Sequence, residues 1–472
     1  MTGEPGAGVT GRSAAAIAER VRSGAVSPVQ VVEDHLARIA ALDPRLHAFQ
    51  LVRAERALAE AAALAERPDL AELPLAGVPV AIKDNIDLAG EPTRLGSGAT
   101  PDTPAPADDE LVRRLRAAGA VVVGKTAMPE LAIWPFTEPE AFAPPARNPW
   151  DPTRTPGGST GGGAAAVATG MVPLALGSDG GGSLRIPAAC CGLVALKPGP
   201  GLVPLARGRR HWYGLTEYGP LAHGVADLAL MLDVLAGRAA RPAPEPPSRR
   251  LRVAVSTRPP MVGARVSPEV ARAVERTASL LGDAGHEVRS ADPPYPLDLG
   301  PRYTGRWLAG IAEDARELPR DRLERRTRGM VRAGHWLTRA GLARPAEVDG
   351  FRARVTAWFG AYDVLLTATV AEPAVPIGRW HGRGWLTTTL GSANWIFTPP
   401  WNLAGFPAAS APAGRSAEGL PLAVQLVAPP GGEDTLLALL AQLEQLQPWP
   451  RWQQPSPMPR VEEKAPAAGG SA

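Results

Sequence analysis

Two short stretches of the chain set serine hard against glycine: Pro156-Gly-Gly-Ser-Thr-Gly-Gly-Gly163 and Gly177-Ser-Asp-Gly-Gly-Gly-Ser183. Glycine runs permit positive φ and let successive backbone N–H groups converge on a concavity that binds an anion, either a phosphate or the oxyanion of a tetrahedral intermediate. Neither stretch ends in the Gly-Lys-Ser/Thr of a phosphate loop, and neither fits a dinucleotide fingerprint with its downstream acid. What each does hold is a serine, Ser159 and Ser183. Alone, a serine beside glycines is more often a flexible turn than a nucleophile, so a base is required.

The seven histidines (35, 47, 211, 223, 286, 335 and 381) all lie outside the glycine-rich region, and none sits in a Gly-x-Ser-x-Gly elbow. Lysine is the scarce residue. It occurs only at Lys83, Lys125, Lys197 and Lys464, every other basic position being arginine. Arginine supplies charge but cannot give up its proton, so the few lysines are candidates for the work arginine cannot do. Lys83 ends the apolar run Leu75 to Ile82, where desolvation lowers a lysine's affinity for its proton. A relay from lysine to serine to serine is the arrangement open to these residues.

Around them the pattern is helix and buried strand in alternation, which argues for an α/β fold. Ser27-Pro28 caps a helix running to Leu42, and a second helix covers 54–65. An amphipathic helix at 109–118 precedes a buried strand at 120–123. Residues 155–201 are dominated by Gly, Ala and Ser, and a helix is expected at 225–235. A proline-rich connector spans 238–250. Strand 251–256, a helix capped by Ser267-Pro268 and strand 286–290 then make a βαβ unit. Strands at 363–370 and 422–427 and a helix at 433–446 follow, between tails at 1–9 and 459–472 that read as disordered.

Composition narrows the function classes. With 45% hydrophobic residues in 472, the chain can bury a substantial core, and Gly plus Pro make up about a fifth of it, below the level of low-complexity sequence. Charge is near balance at a formal +3, without a basic stripe interleaved with aromatics, so no nucleic-acid partner is expected. No long apolar run suggests a membrane span. The two cysteines, Cys190 and Cys191, are neighbours and cannot close a stabilising loop, and the N-terminus lacks the pattern of a signal peptide. The expectation is a cytoplasmic enzyme.

Three motifs in register now carry a resemblance: Gly77-Val-Pro-Val-Ala-Ile-Lys-Asp-Asn85, Gly157-Gly-Ser-Thr-Gly-Gly-Gly163 and Gly180-Gly-Gly-Ser-Leu-Arg-Ile-Pro187. With Gly124 to Glu130, Gly192 to Pro198, Gly219-Pro220 and Pro421 to Val427, the chain resembles the amidase signature family from about residue 27 to 446. The resemblance implies one domain (10–458), a large twisted mixed sheet covered on both faces by helices, with its catalytic core at about 75–235 and a substrate-pocket part at about 251–447. It implies a Ser–Ser–Lys triad, with Ser183 as nucleophile, Ser159 as a bridging serine held by a cis peptide bond and Lys83 as base. It places the N–H groups of Gly180, Gly181, Gly182 and Ser183 in an oxyanion hole, Ser178 and Asp179 just behind the reacting groups, and Arg185 as a structural arginine beside the nucleophile.

Lys125 and Lys197 match positions without catalytic roles, and the cysteines a helix packed behind the nucleophile. Thr160 and Gly163 stand where serine is commoner and Gly180 where a larger residue is frequent, a departure expected to loosen the loop and widen the pocket floor. The implied activity is hydrolysis of a linear carboxylic amide to acid and ammonia or amine, without metal or organic cofactor, by a monomer or homodimer. Trp380, Trp385, Trp395 and Trp401 fall within 22 residues and are either core or the wall of a pocket for a bulky or aromatic acyl group. Two further readings stay open: the glutamine-hydrolysing subunit of a tRNA-dependent amidotransferase, and a silent binding protein that uses the glycine nest for anions.

Overall fold

In the computed structural model, the described residues are 9–140, 142–205, 211–261, 263–342, 349–449 and 451. Eleven strands form a single mixed sheet: β1 (Phe49–Val52), β2 (Pro79–Lys83), β3 (Val121–Thr126), β4 (Leu174–Asp179), β5 (Val194–Lys197), β6 (Glu217–Ala222), β7 (Arg252–Ser256), β8 (Glu287–Ser290), β9 (Val364–Ala368), β10 (Ala408–Arg415) and β11 (Pro421–Val427). Their order is β1-β3-β2-β4-β6-β5-β10-β11-β9-β7-β8. The antiparallel pairing of β5 with β10 continues the sheet across the proline-rich connector, which contains neither helix nor strand.

The strands are Val, Leu and Ala runs buried along their whole length at β2, β3, β4, β9 and β11, as expected where helices cover a sheet. Start signals act as the sequence suggests. Ser27 and Ser267 each accept a backbone N–H at a helix start, with proline at the first helical position. The first of these helices runs on to Leu46, past the expected Leu42, with Pro44 inside its last turn. The βαβ unit forms as expected, β7 parallel to β8 through the helix Pro268–Asp283.

The expected tails at 1–9 and 459–472 lie outside the described residues, with one correction: Val9 is fully buried in the core. Among the described residues no helix is long and apolar enough to cross a membrane.

Candidate active site

β2 and β4 run parallel, with Ile82 opposite Leu176, so Lys83 at the end of one strand meets Ser178 and Asp179 at the end of the other. The carboxyl ends of parallel strands are where such folds place their chemistry. Lys83 is fully buried, and its Nζ lies 2.7 Å from Ser159 Oγ, 2.9 Å from Ser178 Oγ and 3.4 Å from the Ser178 carbonyl. Burial pulls the Lys83 ammonium down to about 7, against the opposing pull of the Asp179 carboxylate. Asn85, to which the motif pattern assigns no role, donates to the same Ser178 Oγ at 3.0 Å.

Ser159 follows a cis peptide bond from Gly158 and precedes the helix Gly161–Ala168. The next residue, Thr160, donates its N–H to the Ser183 carbonyl at 3.2 Å, which ties the two serine-bearing loops together. Ser183 itself is 9% exposed and opens onto a cavity.

Asp179 organises the second glycine cluster. Its Oδ1 accepts from Gly182 N–H (2.7 Å), Arg185 Nη2 (2.9 Å) and Asn402 Nδ2 (2.8 Å); its Oδ2 accepts from Arg185 Nε (2.9 Å) and Leu184 N–H (3.2 Å). Burial pushes its carboxyl up, but the Arg185 guanidinium, together with Lys197 and the Asn402 hydrogen bond, outweighs this and holds it far below its ordinary range. Arg185 also reaches Gln425, Asn402 and the Thr398 carbonyl, so a fully buried charge is neutralised and its donors are used. One expectation is corrected here. The Gly182 N–H, at a φ of 126°, is committed to Asp179 Oδ1, leaving Gly180, Gly181 and Ser183 as oxyanion candidates.

The cavity beside Ser183 is narrow, with a free volume of about 70 Å³, and among the described residues no charged side chain lines it. Trp134, Trp212, Tyr303 and Trp307 supply its aromatic walls. Trp134 and Trp212 each meet Trp307 edge-on, at centroid distances of 6.0 and 6.5 Å. None of Trp380, Trp385, Trp395 and Trp401 lines it, though Thr389, Ser392, Ile396 and Pro399 from the same stretch do. Three of those four tryptophans are core, at 3% exposure or less. The expected wider floor at Gly180 is also absent, because a Cβ there would meet the Trp212 ring at 2.8 Å.

Comparison with known proteins matches residues 30–437 to the Amidase family. The chain belongs to the amidase signature family. It is 45% identical over 448 residues to AmiB2 of Mycobacterium tuberculosis (strain H37Rv), which bears an amidase name, covering 92% of this chain and 96% of that protein. Among solved structures, it resembles a 6-aminohexanoate cyclic dimer hydrolase (TM-score 0.84, 33% identity, 93% of this chain and 97% of that one). It also resembles one of the subunits of the Thermotoga maritima glutamyl-tRNA(Gln) amidotransferase (TM-score 0.72, 29% identity, 89% and 92%). This amidase is therefore a hydrolase of amide C–N bonds.

The remaining lysines of the amidase that are described, Lys125 and Lys197, are fully buried too. Lys125 pairs with Asp84 at 2.9 Å and Lys197 donates to the Pro198 carbonyl at 2.9 Å. Cys190 and Cys191 are free, buried in the helix Arg185–Cys191, and desolvation pushes both thiols up, so they stay protonated. Two residues that hold the Asp179–Arg185 cluster, Asn402 outside the motifs and Gln425 within the stretch Pro421 to Val427, also carry a signal in the sequence. Each is a lone polar side chain within a buried apolar stretch, where a polar group persists only with partners.

Proposed function

We propose that this amidase hydrolyses neutral amides with short, apolar acyl groups through an acyl-enzyme on Ser183, with Ser159 as proton relay and Lys83 as base. The observation that carries the reading is the buried contact of 2.7 Å between Lys83 Nζ and Ser159 Oγ, made by a lysine whose proton affinity has fallen to about 7. A lysine near that value is neutral in a large fraction of molecules at neutral pH and can accept a proton. In this mechanism neutral Lys83 takes the proton of Ser159 as Ser159 takes that of Ser183, and Ser183 Oγ attacks the amide carbonyl. The oxyanion then forms against the N–H groups of Gly180, Gly181 and Ser183, where each donor contributes about 10²–10³ in rate. The departing amine receives its proton back through Ser159, and water attacks the acyl-enzyme by the same relay.

The acyl preference rests on the cavity. Its described lining is mostly apolar and aromatic, with hydroxyls from Ser183, Tyr303, Thr304, Thr389 and Ser392 and no charged side chain, and its free volume is about half that of a cavity known to hold benzene. Glutamine would bring an ammonium and a carboxylate with no charged side chain among the described lining residues to pair them, each at a cost on the order of several kcal/mol on burial, which speaks against the amidotransferase-subunit reading. A silent anion-binding role leaves the Lys83–Ser159 contact without a purpose. The test is labelling with a fluorophosphonate, followed by a panel of butyramide, valeramide, benzamide, succinamate and glutamine. Labelling lost in Ser183→Ala, with butyramide turned over at least 100-fold better than glutamine, is the expected result. Labelling retained at another serine, or glutamine preferred, overturns it.

A further inference from the structure

Gly181 is held by hydroxyls from two distant parts of the chain. Tyr303, on the helix Leu299–Asp314, places its Oη 3.3 Å from the Gly180 carbonyl oxygen. Thr398, the residue before the helix Pro399–Ala404, donates from Oγ1 to the Gly181 carbonyl at 2.5 Å. These two carbonyls belong to the two peptide planes that flank the Gly181 α-carbon. In a planar trans peptide the C=O and the following N–H point opposite ways, so a bond that fixes the carbonyl fixes the N–H as well. Tyr303 therefore sets the direction of the Gly181 N–H. Thr398 sets that of Gly182, whose N–H Asp179 Oδ1 receives on the other side. Fixing both planes fixes φ and ψ of a residue that has no Cβ to restrict it.

We propose that the hydroxyls of Tyr303 and Thr398 are positioning groups that pre-organise the Gly180–Gly181 peptide for the developing oxyanion. This rests on the reading of Ser183 as nucleophile given above. The two contacts are close by construction: a Cβ on Gly181 would run into the Tyr303 hydroxyl, and one on Gly182 into Thr398 Oγ1. Thr398 is fully buried, and Arg185 Nη1 holds its carbonyl at 3.1 Å, so the donor has a fixed base. The Tyr303 ring stacks on Trp307 with centroids 6.3 Å apart, which fixes the other donor. Burial pushes its phenol up, so it stays a protonated donor. Preorganised donors of this kind cost no reorganisation when charge develops. Loosening them raises the barrier without changing how substrate binds.

The experiment compares Tyr303→Phe, Thr398→Ala and Thr398→Ser with the parent, using butyramide as substrate, propylboronic acid as a tetrahedral adduct on Ser183, and butyrate as a ground-state competitor. Tyr303→Phe and Thr398→Ala are each expected to lower kcat about tenfold with KM within about threefold. The inhibition constant of the boronic acid should rise by the same factor while that of butyrate stays put, and Thr398→Ser should return to near the parent. A kcat that does not move, or one that falls while boronic acid affinity is kept, overturns the proposal. If Thr398→Ala does not fold, Tyr303→Phe and Thr398→Ser decide it. A parent that neither cleaves butyramide nor binds boronic acid overturns instead the assignment of Ser183, and the positioning roles with it.

Discussion

Lys83 shows how much chemistry a single residue can reveal by its type and its neighbours in the chain. It is one of four lysines among many arginines and it closes an apolar run, and both facts point to a group selected for a removable proton. The fold adds what spacing cannot, namely that Ser159 and Ser178 converge on its Nζ. The sign of the pH dependence follows. The reaction needs neutral Lys83, and burial brings its proton affinity down to about 7, so kcat/KM should rise from acid pH through about 7 and level off above it. Lys83→Arg should fall at least about 10³-fold, like Lys83→Ala, since a guanidinium keeps the charge but accepts no proton. A pH–rate profile of the parent and a single-point comparison of the variants check both. An active arginine variant, or a profile flat between pH 5 and 9, removes Lys83 as base. By contrast the role of Gly182 is not legible in the sequence. Four consecutive N–H groups look alike there, and only the position of Asp179 decides which one is spent.

At the level of elements, the start signals and apolar runs place the helices and strands around the site to within a few residues, because those features are local. The helix at 54–65 and that at 433–446 fall where the pattern puts them. The wall of the cavity escapes the pattern for the opposite reason. Four tryptophans crowded between 380 and 401 suggest a pocket, yet the indole rings that line the cavity beside Ser183 come from residues 134, 212 and 307, brought together by long-range packing. The cluster at Asp179 is held the same way, by Arg185 six residues on and by Asn402 and Gln425 from the far end of the chain. Breaking it from one side leaves a buried guanidinium without its counter-charge, which costs about 3–5 kcal/mol. Asp179→Asn should therefore lose about that much stability in urea unfolding, measured in a Ser183→Ala background so that catalysis does not enter. A loss under about 1 kcal/mol, the size of an ordinary hydrogen-bond change, would mean that Asn402 and Gln425 already satisfy Arg185 without the ion pair.

Across the whole molecule, one sheet of eleven strands carries a centre that is costly to maintain. Lys83 is buried with its Nζ hydrogen-bonded to Ser159 and Ser178, and its proton affinity in the folded chain lies well below the 10.5 of an unfolded lysine. Below about pH 7 the ammonium is charged in both states, and the folded state bears the full penalty of burying it. Between about 7 and 10.5 the unfolded chain still holds the proton while the folded chain has released it. The unfolded state then binds more protons, so this residue's contribution to stability improves as pH rises. Lys83→Met keeps much of the length of the side chain and removes the ionisation. It should be inactive yet more stable than the parent at pH 6, by an amount on the order of a few kcal/mol. That advantage should shrink steadily as the pH is raised from 7 to 10, where the parent's lysine is neutral in the fold at little cost. Denaturant unfolding of the two chains at pH 6, 7, 8, 9 and 10 reads the difference directly. A gap that stays constant with pH would show that Lys83 keeps its proton on folding, and a parent more stable than Lys83→Met at pH 6 would show that the serine contacts outweigh the burial of the charge.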